Sequence, residues 1–298
     1  MAATATLNVP WSIPKTRPFM RCQRFIGFDW DLAALTVIFP EEKLTATRNL
    51  VHSWLNPTLR VHMREAASFH GKLVHASTIF PLIRPFLRSI SRFATAFKSP
   101  RASLGIPGAV RSDAKWISDL LSRLPNSLPL SQHQPADIGW WGDASSSFGI
   151  GVVVGSFWAV WRYAPGVTVG PRRRFDIGWA EAVAVELGLH LATHHALLEQ
   201  RSPHTSRILV RSDNSGVVHA VNRGRSRSAE TNSVLRRTYL QLADAGISLV
   251  AKHVASEENI ADPLSRGDVA GFLCRFPAAT TRSDCSLPPS LCHLLRSW

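Results

Sequence analysis

A chain of 298 residues can bury one large or two modest cores. Hydrophobic residues make up 45% and charged residues 18%, and no run of 18 or more apolar residues occurs, which argues for a folded chain without a membrane span. The 34 Lys+Arg against 21 Asp+Glu give a formal charge of +13, and a basic surface attracts polyanions, though charge alone also fits a solvated basic protein with no nucleic-acid role. The excess is uneven. Residues 1–135 carry 17 basic and 7 acidic side chains, whereas the rest carry 17 and 14.

Residues 1–24 read as a poorly ordered segment. Lys15, Arg17, Arg21 and Arg24 precede the first acid, Asp29, a composition resembling a mitochondrial transit peptide. Pro10, Pro14 and Pro18 would break the amphipathic helix such a peptide needs, so a domain edge is the better reading. Residues 25–124 read as a mainly helical region. FIGFDWD and LTVIF form two short strands between Phe25 and Phe39, and Pro40-Glu41-Glu42 opens a helix through Trp54. Helical periodicity returns from Arg64 to Ile79 and from Arg84 to Phe97. Pro100 to Ala109 is a connector, and Ser112-Asp113 would cap a helix reaching Leu124. Residues 125–135, rich in Pro, Ser and Gln, read as a linker between domains.

Residues 136–272 change pattern. Ile138–Ala144, Gly149–Gly155 and Phe157–Tyr163 read as three consecutive strands, followed by a basic loop at Arg172–Phe175. A long helix from Trp179 to Glu199, a strand at Arg207–Ser212 and helices at Asn214–Asn222 and Ala229–Ala243 come next. The fifth strand is Ile247–Val254, and a short helix covers Glu257–Ser265. Right-handed crossovers make this an α/β fold, a mixed five-stranded sheet with helices on both faces. Residues 273–298 read as a loose tail. Cys22, Cys274, Cys285 and Cys292 form no CxxC pair, so reduced thiols are expected rather than a zinc site.

Carboxylates recur at the ends of these elements. Asp143 ends the first strand in WWGDASSSFGIG, followed by small residues that leave room for a metal and a substrate backbone. Asp213 ends the fourth strand in ILVRSDNSG, where it could equally cap the next helix. Glu181 and Glu186 share the long helix but lie about 140° apart, so both cannot face one metal. Glu181, in the first turn with Ala184, Gly188 and Leu191 on its stripe, is preferred; Glu186 is assigned to solvent or to structure. KHVASEENIADPLSRG supplies His253, Asn259 and Asp262, the histidine placed to shuttle a proton. Several acids converging from strand ends and a facing helix suit hard divalent cations and phosphodiester hydrolysis. Trp140, Trp141, Trp158 and Trp161 suit core packing on a buried sheet better than base stacking.

In this order the residues resemble the ribonuclease H family, specifically the domain attached to retroelement reverse transcriptases. The resemblance covers about 135 residues and implies that Asp143, Glu181, Asp213 and Asp262 hold two Mg2+ ions, or Mn2+, with His253 as the family's mobile histidine. It implies an endoribonuclease acting on RNA–DNA hybrids; the sequence leaves the place in the cell open, with an intracellular setting, cytoplasmic or nuclear, expected. Ser145, Ser146 and Asn214 would meet the RNA, while Arg172, Arg173, Arg174, Arg223 and Arg225 would meet phosphates of the DNA strand. The motif N-x-A-D-x-x-S-R, one residue shorter between Asn259 and Asp262 than the bacterial form, is similar to DIRS-like elements. FIGFDWD, FPEEKL, SFHGKLVHA and DAKWISDLL resemble the palm end, thumb and connection of such reverse transcriptases. The Y-x-D-D pair of polymerases is missing, because no two aspartates are adjacent, so no polymerase activity is expected without fingers and palm from another polypeptide. The competing expectation is an inert retroelement remnant that only binds nucleic acid.

Overall fold

In the computed structural model, which describes residues 18, 20–130, 134–198 and 207–298, the amino-terminal half is built from short strands wrapped on helices. Strands β1 (Cys22–Phe25) and β2 (Phe28–Asp31) form a hairpin. Its two-residue turn, Ile26-Gly27, has positive φ at both positions, 46° and 87°, which matches the twist of the flanking strands. β3 (Thr36–Ile38) adds to β2, so the stretch holds three strands where two were expected. Helix α1 (Glu41–Ser53) follows Pro40 with both glutamates in its first turn. Strand β4 (Arg60–His62) leads into α2 (Met63–Ala76), whose first turn is closed by the Glu65 carboxylate accepting from the His62 N–H at 2.7 Å.

The stretch expected as one helix from Arg84 to Phe97 divides at its prolines. Pro81–Phe86 is a 3-10 turn and Leu87–Ala94 is α3. Strand β5 (Ser103–Gly105) pairs with β4. Helix α4 (Gly108–Arg123) starts four residues before the expected cap, because Pro107 already sets its entry. Asp113 therefore sits inside the helix, 1% exposed, and not at its end. The expected linker is corrected too: Ser127–Pro129 is strand β6, antiparallel to β3 with Leu128 opposite Val37. Residues 131–133 of that linker, residues 1–17 and 19 of the first segment, and Glu199 at the expected helix end lie outside the described residues.

The second half is a mixed sheet. Strands β7 (Ala136–Ala144), β8 (Gly149–Val154) and β9 (Phe157–Tyr163) form an antiparallel meander. Helix α5 (Ile177–His194) crosses one face, and β10 (Arg207–Ser212) returns parallel to β7. Helices α6 (Ser215–Arg223) and α7 (Ala229–Asp244) precede β11 (Ser248–His253), which is parallel to β10. A 3-10 turn at Ser256–Glu258 and the single turn α8 (Asp262–Ser265) stand where one short helix was expected, and α9 (Val269–Arg275) follows.

Alternation along the strands assigns two faces. Val152, Val154, Ala159 and Trp161 join the core under α5, α6 and α7, whereas Val153, Trp158 and Val160 join Ala261, Leu264 and Phe272 on the other side. Two glycines permit the close approaches. Gly188 on α5 leaves the slot that the Trp140 indole fills, and Gly151 on β8 lets Ala261 and Leu264 press against the strand backbone. Trp140, Trp158 and Trp161 are buried, so they pack the core, and Arg211 covers the half-buried Trp141 ring. Glu186 is also fully buried, clasped by Arg237 of α7 at 2.6 Å through both carboxylate oxygens, which removes its solvent-facing reading.

The tail is not loose. β12 (Thr281–Arg282) runs parallel to β9 and β13 (Leu295–Ser297) antiparallel to it, extending the sheet to the order β11-β10-β7-β8-β9-β12, with β13 also on β9. Leu291, Leu295 and the Cys285 thiol are buried there, while Cys22, Cys274 and Cys292 are exposed free thiols. The two halves meet along α7. The 3-10 turn Pro81–Phe86 packs on it, Leu82 enters the second-half core, and Arg236 of α7 pairs with Asp113 of α4. No helix among the described residues is long and apolar enough to cross a membrane.

Candidate metal centre

Three carboxylates are delivered to one point by three different elements. Asp143 is the penultimate residue of β7, Glu181 lies in the first turns of α5, and Asp213 directly follows β10. One oxygen from each lies within 4.8 Å of the others, so Asp143, Glu181 and Asp213 could hold a metal ion. Local sequence explains the delivery. Asp176 caps α5 by accepting from the Trp179 N–H at 2.7 Å, which fixes the first turn and points Glu181 at the sheet. Gly142, adjacent to Asp143, lets α5 approach at Ala184. Asn214, not Asp213, caps α6 through its side-chain oxygen, accepting from the Val217 N–H at 3.2 Å. The aspartate is thereby left to the cluster.

Asp143 and Glu181 are costly to ionise where they stand. Asp143 is 4% exposed, and burial first, then the neighbouring charges of Asp213 and Asp262, push its carboxyl up to about 7 against an opposing polar contact with Ser265. Glu181 is raised well above the ordinary range by burial and then by Asp143 and Asp213, with the Ala144 backbone and Ser212 hydroxyl opposing. No Lys or Arg is paired with any of the three among the described residues. Neutral donors supply partial compensation. The Asn259 amide, 3% exposed, donates to Asp143 at 2.9 Å, to Asp213 at 3.3 Å and to the Gly142 carbonyl at 3.3 Å. Ser256 donates to Asp213 at 2.6 Å, and Ser212 to Glu181 at 3.3 Å.

Asp262 stands apart. It is bound by Arg266, four residues on, through contacts of 2.8 and 2.9 Å, outside the group of three. Its charge reaches Asp143, but it does not converge with the others. His253 is exposed at the end of β11, and its Nε2 meets the Asp213 backbone carbonyl at 3.0 Å, beside the cluster. Ser145 is committed to the β7–β8 turn: its hydroxyl donates to the Ser265 carbonyl at 2.6 Å and accepts from the Phe148 and Gly149 N–H groups. Ser146 is exposed. Arg172, with φ of 60°, and Arg173 are exposed on the loop before α5, where Arg174 pairs with Glu230 at 3.2 Å. Arg223 and Arg225 are exposed at the far end of α6.

Sequence reasoning missed the parts played by Ser256 and Tyr163. The Tyr163 hydroxyl donates to the Ser145 carbonyl at 2.8 Å, and burial plus the Glu181 and Asp143 charges raise its pKa. Ser256 lies in the quoted SEEN stretch, but only the fold of the 3-10 turn brings it to Asp213. No protein-family model matches the chain, and no curated protein aligns with it significantly.

Proposed function

We propose that the chain is a ribonuclease H-like nuclease that cleaves the RNA strand of RNA–DNA hybrids, within the carboxyl-terminal part of a DIRS-like retroelement reverse transcriptase. The observation that carries this reading is the convergence of Asp143, Glu181 and Asp213, two of them buried, with no cation paired to them among the described residues. Three antiparallel strands, a long helix, a parallel strand, two helices and a second parallel strand also follow the element order of that family, which is support by analogy.

The donor set fits hard divalent cations, since all three ligands are carboxylates and the compensating groups are neutral. Two Mg2+ ions, or Mn2+, would supply water activation and stabilisation of the leaving oxygen. Asp143, Glu181 and Asp213 would hold them, and Asp262 could join only by releasing Arg266. The chain's own groups do the rest. Asn259 keeps Asp143 and Asp213 aligned, and His253 stands beside Asp213 where it can take up or release a proton. Ser146 and Asn214, next in sequence to the acids, would meet 2′-hydroxyls, and the exposed Arg172, Arg173, Arg223 and Arg225 would meet phosphates of the DNA strand.

The competing reading, an inert module that binds nucleic acid, draws on the Asp262–Arg266 pair, which keeps the fourth acid away from the cluster. Incubating the full chain with a labelled RNA–DNA hybrid, with and without Mg2+, separates the two. The nuclease reading expects Mg2+-dependent RNA cleavage that vanishes in Asp143→Asn. Cleavage persisting in that variant, or tight binding with no cleavage by the parent, would overturn it.

A further inference from the structure

Arg266 follows the single turn α8 and grips the Asp262 carboxylate from four residues away. Its Nε donates to one oxygen at 2.8 Å and to the other at 2.9 Å, and a terminal nitrogen meets the first at 2.8 Å. On an ordinary helix such a pair is a common surface contact of small worth. Two observations set this one apart: the backbone beneath it is fixed, and its charge reaches the three converging acids.

Ser265 is fully buried. Its hydroxyl donates to the Asp262 carbonyl at 3.0 Å, and its own carbonyl accepts from the Ser145 hydroxyl at 2.6 Å. Ala261 and Leu264 are buried against Gly151 of β8, and the Asp268 N–H donates to the Pro263 carbonyl at 2.8 Å. Gly267, with φ of 83°, closes the turn against the Phe148 ring, where any side chain would collide. The two charged side chains are held far less. That of Arg266 is 68% exposed and that of Asp262 29%, so the guanidinium can swing into solvent while the turn stays in place. The charge meanwhile acts inward. Burial, then Asp213 and Asp262, push the Asp143 carboxyl up, and Arg266 pulls against them. The guanidinium is itself held charged first by Asp262 and then, more weakly, by Asp143 and Asp213.

We infer that Arg266 is a positioning residue of the metal centre, a resident counter-ion that keeps Asp262 off the acids until a second divalent cation displaces it. This rests on the metal-dependent nuclease reading and adds an order of loading to it. Asp143, Glu181 and Asp213 converge without rearrangement, so they would take a first cation directly. A second cation that draws on Asp262 must break the fork and approach a guanidinium of like charge, so it binds more weakly. An exposed pair shifts an equilibrium by about fivefold at most, which sets the size of the effect. The site motif then supplies both a ligand and the group that withholds it, one helical turn apart.

The test measures Mn2+ binding by the full chain without nucleic acid, read from loss of the free ion's electron paramagnetic resonance signal. The parent is expected to hold one ion tightly and a second more weakly. Arg266→Gln should tighten the second by about fivefold and move the first by less than about twofold. Losing a positive charge also acts through space, so the same change is made in Asp262→Asn, where it should tighten neither ion by more than about twofold. Arg275→Gln, which removes an exposed arginine on α9, should alter neither ion. A second ion no tighter in Arg266→Gln than in the parent, a count of one in both, an equal gain in the Asp262→Asn background, or the same gain from Arg275→Gln would overturn the inference. A parent that binds no Mn2+ sinks the metal-centre reading and takes the counter-ion role with it. A tight first ion that is lost in Asp143→Asn keeps the metal centre even where the role of Arg266 fails.

Discussion

A carboxyl that is 4% exposed beside two other acids is costly to ionise without a cation, and Asp143 is raised to about 7 for that reason. The sign of the linkage follows. Between the unfolded carboxyl range, about 4, and the folded value, the native chain binds the extra proton, so metal-free stability falls as pH rises through this window and levels above it. Urea melts of the chain in EDTA from pH 5 to 8 should show that fall, and Asp143→Asn should be more stable than the parent at pH 8 by about 1–3 kcal/mol. Mg2+ should restore the parent above pH 7, because cation binding replaces the proton. A flat profile would mean that Asp143 and Glu181 do not carry the cost assigned to them. Asp262 tests the remaining ligand. Since Arg266 already neutralises it, Asp262→Asn should reduce hybrid cleavage by about tenfold, against on the order of a thousandfold for Asp143→Asn. Equal reductions would place Asp262 at the metal during turnover.

At the scale of elements, α5 is the part that both folds the sheet and arms the site. One face carries Glu181 to the strands, and another buries Glu186 against Arg237 of α7. Arg237→Met strands a fully buried carboxylate, with an expected loss of about 3–5 kcal/mol in denaturant melts, and adding Glu186→Gln should recover most of it. If the single variant costs nothing, α7 is not fastened to α5 through this pair. Much of this element is legible in the sequence. Helical angles separate Glu181 from Glu186, and strand endings select Asp143 and Asp213. What periodicity cannot reveal is which partner waits across the fold: the sequence around Glu186 contains no sign of Arg237, 51 residues away. The same limit applies to Asp113, which reads as a helix cap and instead meets Ser89 and Arg236. Ser127–Pro129 reads as linker because three residues beside proline carry too little pattern to announce a strand.

The whole molecule joins a basic first half to a second half that holds the acids. The charge asymmetry is visible in the sequence, but the junction is not, because its arginines are spread over two separate stretches, 84–92 and 223–227. Only the docking of the 3-10 turn and α3 on α7 and its preceding loop places them face to face. Composition also misjudges residues 273–298, whose Pro, Ser and Thr suggest a loose tail. The isolated apolar anchors Leu291 and Leu295 are too few to produce a periodic signal, yet both are buried.

Those anchors hold β12 and β13 along β9, which would otherwise be the outermost strand of the sheet. An uncovered strand presents a row of unpaired N–H and C=O groups to any similar strand it meets. The segment therefore serves as a self-supplied guard against edge-to-edge association, occupying the place another molecule could take. A chain ended after Ala279 should keep its carboxylate cluster, which touches none of the removed residues, but elute from size exclusion as concentration-dependent oligomers. A truncated chain that stays monomeric over the same range would show that β9 needs no such cover.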